Sequence, residues 1–139
     1  MKSLKPISLL LTRVSLGLYL MFWGVVKLTA ADKAVAVSEK YYGGIISSSV
    51  MNYGLGIVQV AIGILVVIGL FRLIAFYAQA VIYCVGLLAI TKYIVDPFGV
   101  YLAESSKLTF FPSTTLFFAS LIMIAFMEED TLSVDYEYR

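Results

Sequence analysis

Polar positions are sparse along most of this chain, and the gaps between them define four apolar windows, at about residues 7–29, 51–71, 73–95 and 109–127. A helix that crosses a bilayer needs about 20 mostly apolar residues, and each window meets that length. In lipid every backbone N–H and C=O must be paired internally, which leaves helices or a closed barrel. Windows this long without two-residue alternation predict helices. The fold class is therefore an all-α membrane protein, a single four-transmembrane-helix bundle with short loops, followed by an acidic C-terminal tail over 128–139.

The punctuation between windows refines this plan. Only Arg72 and its neighbours separate the second and third windows, so these two helices form a tight antiparallel hairpin. The first connection, Ala30 to Val50, sets Asp32, Lys33, Glu39 and Lys40 beside Val35, Val37, Tyr41 and Tyr42, a pattern that suits a short interfacial helix ended by Gly43 and Gly44. Asp96 and Pro97 stop the third helix, and Pro112 suits the first turn of the fourth, where a missing N–H costs little. Lys2 and Lys5 ahead of an apolar stretch resemble a secretory leader, but Arg13 interrupts that stretch, and the first window is read as a retained span.

Within the windows the few polar residues fall in stripes. At 100° per residue, Arg13, Gly17, Gly24 and Lys27 share one arc of the first helix; Asn52, Gly56, Gln59 and Gly63 share one on the second; Gln79, Tyr83, Gly86 and Tyr93 share one on the third. Glycines let backbones approach, so these seams face other helices rather than lipid. The fourth helix offers only Ser113 and Ser120 in line with Phe117 and Ile124, which leaves it to face lipid or a partner. Arg13 and Lys27 lie about 21 Å apart along the axis and cannot form one site. Counted from the side of the termini, Arg13 and Gln79 lie at similar depth, with Gln59 nearer the midplane. Two readings stay open. Arg13, Gln59, Gln79 and Tyr83 form a pocket that hydrogen-bonds the carbonyls of a quinone, or they are interhelical contacts beside a snorkelling arginine. Lys27, Lys92 and Asp96 are read as interfacial, and the tail acids as a solvated end.

Composition narrows the chemistry. The chain is 61% hydrophobic and only 14% charged, against about 45–50% apolar for soluble domains. A net charge of +1 without a basic run excludes a nucleic-acid partner. There is no histidine and one cysteine, Cys84, so haem held by two histidines, histidine-ligated copper or iron, and the usual zinc sites lack ligands; no metal site and no covalently bound cofactor is expected. Basic residues divide five and five between the two sides, and charge alone does not orient the bundle.

The segment Arg13-Val-Ser-Leu-Gly17 followed by Phe22-Trp-Gly24-Val-Val-Lys27-Leu28, with Gln59, Gly63, Gly69-Leu70, Arg72-Leu73 and Ala75 along the second helix and the turn after it, resembles the DoxX family of small four-helix membrane proteins. Gln59 stands where the family pattern has a glutamate, and the histidine found further along in the family is missing. The resemblance implies a plasma-membrane protein of bacteria or archaea with cytoplasmic termini, and relatives that serve as membrane subunits of quinone-linked oxidoreductases. The first expectation is an accessory or anchoring subunit of a larger respiratory or redox membrane complex, in contact with lipid and other membrane-protein subunits and without a catalytic centre of its own. The alternative is a quinone-binding redox subunit; a small-solute transporter ranks below both.

Overall fold

A computed structural model describes residues 4–103 and 105–138. Its helices are α1 (Leu4–Thr29), α2 (Ala31–Tyr41), α3 (Ser49–Ile68), α4 (Arg72–Ala89), α5 (Thr91–Val95), α6 (Pro112–Ala125) and the single turn α7 (Val134–Glu137). Among the described residues every regular element is helical, and four stretches are long and apolar enough to cross a membrane: α1, α3, α4 and Leu108–Ala125. The chain is a multi-pass membrane protein built as a four-helix bundle. α6 alone has 14 residues, about 21 Å, short of a hydrocarbon core of about 30 Å. The 3-10 turn Leu108–Phe110 ahead of it completes the span.

The backbones of α1 and α3 nearly touch at two levels. A Cβ added at Gly17 would lie 2.8 Å from the Gly63 carbonyl oxygen, and one added at Gly24 would lie 2.8 Å from that of Gly56. Lipid tails are as apolar as side chains, so close van der Waals packing, rather than water exclusion, holds such a crossing. The two glycine arcs predicted from spacing therefore face each other. Leu16, Leu20, Val66, Phe76 and Met123 fill the small core beside this crossing.

α3 ends at Ile68, not at residue 71, because its cap residue Gly69 takes the left-handed conformation (φ 72°). Its N–H donates to the Val66 carbonyl, and the Leu70 N–H donates to that of Leu65, the paired bonds of a Schellman cap. Phe71 is also left-handed (φ 50°), which costs a non-glycine residue about 1–3 kcal/mol. The third span also differs from the predicted window: α4 stops at Ala89, and α5 restarts at Thr91. The Thr91 hydroxyl donates to the carbonyls of Leu87 and Leu88, competing with the helix's own ladder and breaking it at Ile90.

Opposite the chain ends, α2 packs on α1 and α3. The Ile46 N–H donates to Ser38 Oγ, and Asn52 Nδ2 donates to the carbonyls of Ile46 and Ser48, so the connection is tied to both helices. Tyr41, Tyr93 and Phe110 meet edge-on with centroids 5.4–6.0 Å apart, joining α2, α5 and the start of the fourth span. α6 buries only Ser120 and Met123, leaving the rest of its surface outward or partly covered.

The next loop is organised by one carboxylate. Asp96 accepts hydrogen bonds from the backbone N–H groups of Val100, Tyr101, Leu102 and Ala103, at 2.7–3.3 Å. The bonds from Leu102 and Tyr101, more than those from Val100 and Ala103, pull its pKa down to about 2. A depressed carboxylate pKa contributes stability that is complete above the unfolded value near 3.8 and is lost as pH falls toward 2. Asp96→Asn should therefore speed amide hydrogen exchange at residues 100–103 at neutral pH, and the wild-type loop should reach similar rates, after correction for intrinsic exchange, only below about pH 2. Unchanged protection in the variant would contradict this account of the loop.

Candidate functional site

The structure separates the four residues that the stripes suggested as one site. Arg13 is buried in an ion pair with Asp130, its Nη1 2.6 Å from Oδ2, and its Nη2 donates to the Leu132 carbonyl at 2.9 Å. Arg72, equally buried, donates from Nη1 to the carbonyls of Met127 and Asp130. Its backbone N–H, the first of α4, is capped by Asp135 Oδ2 at 2.8 Å. Asp135 in turn donates its N–H to the Gly69 carbonyl, and Ser133 Oγ donates to Asp130 O. The tail is thus a latch that folds over the α3–α4 turn and the first helix. While Glu128 and Glu137 are exposed, Asp130 is fully buried, which corrects the picture of the acidic tail as a solvated end at that residue. The reason is electrostatic: a guanidinium inside a bundle requires a carboxylate, and the spans themselves contain none.

Gln79 is also buried, with its Oε1 unpartnered among the described residues, and neither it nor Arg13 lines the chamber that Gln59 and Tyr83 share. These two belong to the wall of a chamber of about 670 Å³ between α1, α2, α3, α4 and the start of the fourth span. α1 contributes to this wall from Tyr19 to Lys27, α3 from Asn52 to Gln59, and α4 from Val81 to Leu87, with Ile90 just after it. These are the halves distant from the latch, so the chamber occupies the loop-side half of the bundle. A neighbouring recess of about 430 Å³ shares Tyr19, Thr109, Ser113 and Leu116 with it, against α1 and α6.

Most of the wall is aliphatic or aromatic, and the polar groups are few. Lys27 Nζ donates to Gln59 Oε1 at 2.8 Å. The Tyr83 hydroxyl donates to the Leu16 carbonyl at 2.6 Å and so holds α4 to α1. Tyr42 follows α2; burial, and then its neighbour Tyr19, push its pKa up, so that it stays a neutral phenol. An apolar concavity with a few fixed polar groups, in the range of about 300–1,000 Å³, is the form of a small-molecule site. Among the described residues no three histidine, cysteine, aspartate or glutamate side chains gather in a group that could hold a metal.

Of the four residues that spacing grouped, Gln59 and Tyr83 lie on the wall of one chamber, and the cation that reaches Gln59 is Lys27. Lys27 shares an arc with Gly24, and Gly24 meets Gly56 one turn from Gln59. In this antiparallel register Lys27 lies about one turn to the loop side of Gln59, and its long side chain reaches inward across that turn. No family model, curated protein or solved structure gives a significant match to the chain.

Proposed function

We propose that this protein is a membrane-embedded accessory subunit of a larger, redox-linked membrane complex, and that it contributes a binding chamber for an amphiphile of the quinone class rather than a catalytic centre. The chamber itself is the observation that carries the reading: about 670 Å³, walled by Trp23, Tyr19, Leu55, Val81 and Ile82, with Lys27, Gln59 and Tyr42 as its polar contacts. A ring system with an isoprenoid chain fits such a wall, and its carbonyls accept hydrogen bonds from the lysine and phenol donors. The resemblance to DoxX-like proteins favours a quinone over other membrane-dissolved amphiphiles and a cell membrane of a bacterium or archaeon with cytoplasmic termini.

The subunit role is favoured by α6, whose outward surface is apolar almost all round and is free to meet lipid or another membrane protein. Extraction in mild detergent, followed by mass spectrometry of co-eluting proteins and quinone analysis, tests both parts. The expected result is a larger partner bearing flavin, haem or metal, and about one quinone per chain. Recovery of the chain alone and free of quinone would overturn the proposal.

A further inference from the structure

Lys27 lies two residues from the end of α1, close enough to an interface for its ammonium to reach water. It does the opposite. Its Nζ turns inward to Gln59, ten residues after Ser49 and nine before Ile68, and therefore at the middle of α3, about 15 Å from that helix's loop-side end. An ammonium drawn toward the centre of a membrane bundle is costly unless something compensates it.

The protein compensates its other buried cations with carboxylates. Arg13 has Asp130, and Arg72 has Asp130 and Asp135. Among the described residues no carboxylate comes within 4.0 Å of Lys27. Among the described residues its acceptor is a neutral amide oxygen, which takes one of three ammonium donors. The remaining donors border a chamber whose other polar groups, Ser38, Asn52, Tyr42 and Ser113 among them, are all neutral.

We propose that the chamber selects an amphiphile whose polar end is an oxyanion, a carboxylate or phosphate, and that Lys27 is the group that holds it. The assignment rests on the chamber being an amphiphile site and goes beyond the quinone reading: an acidic amphiphile competes with a quinone for the same space, and it alone also balances Lys27. A carbonyl would satisfy a donor without balancing the cation; an oxyanion does both, through a charge-assisted hydrogen bond. Leu20, Leu55, Val81, Ile82 and Leu116 then receive the apolar tail.

Trp23 is the sole tryptophan and lines the chamber, so its fluorescence reports occupancy. Dibromostearic acid and its methyl ester, titrated against the detergent-purified full chain at a pH that ionises the acid, should both quench it saturably, the acid about tenfold more tightly. Lys27→Met should bring the acid down to the ester's affinity while ester binding persists, which also reports that the variant is folded. Lys27→Arg should keep the preference. Equal affinities in the wild type, or a preference that survives in Lys27→Met, would overturn the assignment and leave the chamber intact as an amphiphile site. Quenching that never saturates with either probe would instead overturn the chamber reading beneath it. A matching preference for brominated phosphatidic acid over brominated phosphatidylcholine identifies a lipid phosphate as the oxyanion; preference confined to the fatty acid identifies a carboxylate.

Discussion

Asp130→Ala should lower the stability of the detergent-solubilised bundle by about 3–5 kcal/mol, the cost of stranding a buried cation by removing its partner. The residue is placed for such an effect: Asp130 is 0% exposed, and Arg13 and Arg72 are each 2% exposed. The substitution leaves Arg13 without its carboxylate and removes one of the two acids near Arg72. Arg13→Leu alone should cost less, because Asp130 keeps Arg72 Nη1 at 4.0 Å. The pair Arg13→Leu with Asp130→Leu should recover most of the loss, since an apolar pair needs no compensation, and a double-mutant cycle from denaturant unfolding would give a large coupling energy. A wild-type-like Asp130→Ala would show that the latch does not hold the terminal end closed. By contrast, the exposed pair Lys5–Glu129 beside it should contribute 0–1 kcal/mol.

The second large effect falls at the crossing of α1 and α3. Gly17→Ala and Gly24→Ala each set a methyl carbon against backbone, 2.8 Å from a facing carbonyl oxygen, and backbone cannot turn aside as a side chain can. Each should cost about 1–3 kcal/mol as overpacking, and leucine at either position should separate the helices and abolish monodisperse protein. Gly54→Leu is the control: no atom lies within 4 Å of a Cβ there, and the variant should elute as the wild type does. Size-exclusion profiles after detergent extraction read the outcome. A tolerated leucine at Gly17 would mean that the two helices do not meet at that glycine.

The number of spans was legible from hydropathy alone, since nothing but a helix satisfies its backbone over so long an apolar run, whereas the ends of the second and third were not. The glycine arcs were legible too, because 100° spacing is a local property. Their partners were not. Depth arithmetic puts Arg13 level with Gln79, yet it says nothing about which helix faces are adjacent, and Arg13 turns instead to Asp130, 117 residues away. A signal for that contact was present: the spans hold no acid, the tail holds several, and both ends of the chain lie on one side of the membrane. Any carboxylate for Arg13 or Arg72 had to come from outside the apolar windows, and the tail was the acid-rich segment within reach. Which acid serves which arginine depends on the turn from Gly69 to Phe71, whose left-handed φ values cannot be read from spacing. Lys27 was misleading for the opposite reason: its place near a helix end is where lysines ordinarily snorkel outward.

A chamber able to hold an amphiphile is the central claim, and Gly86 offers a direct way to fill it. A Cβ at Gly86 would meet only the Tyr42 hydroxyl, at 3.6 Å, so a larger side chain there enters the chamber without striking backbone. Native mass spectrometry of the wild-type chain released from detergent should show a population carrying one tightly retained amphiphile. Gly86→Phe should lose that population while melting as the wild type does. A bare wild-type chain, or an adduct equally abundant in Gly86→Phe, would contradict the account.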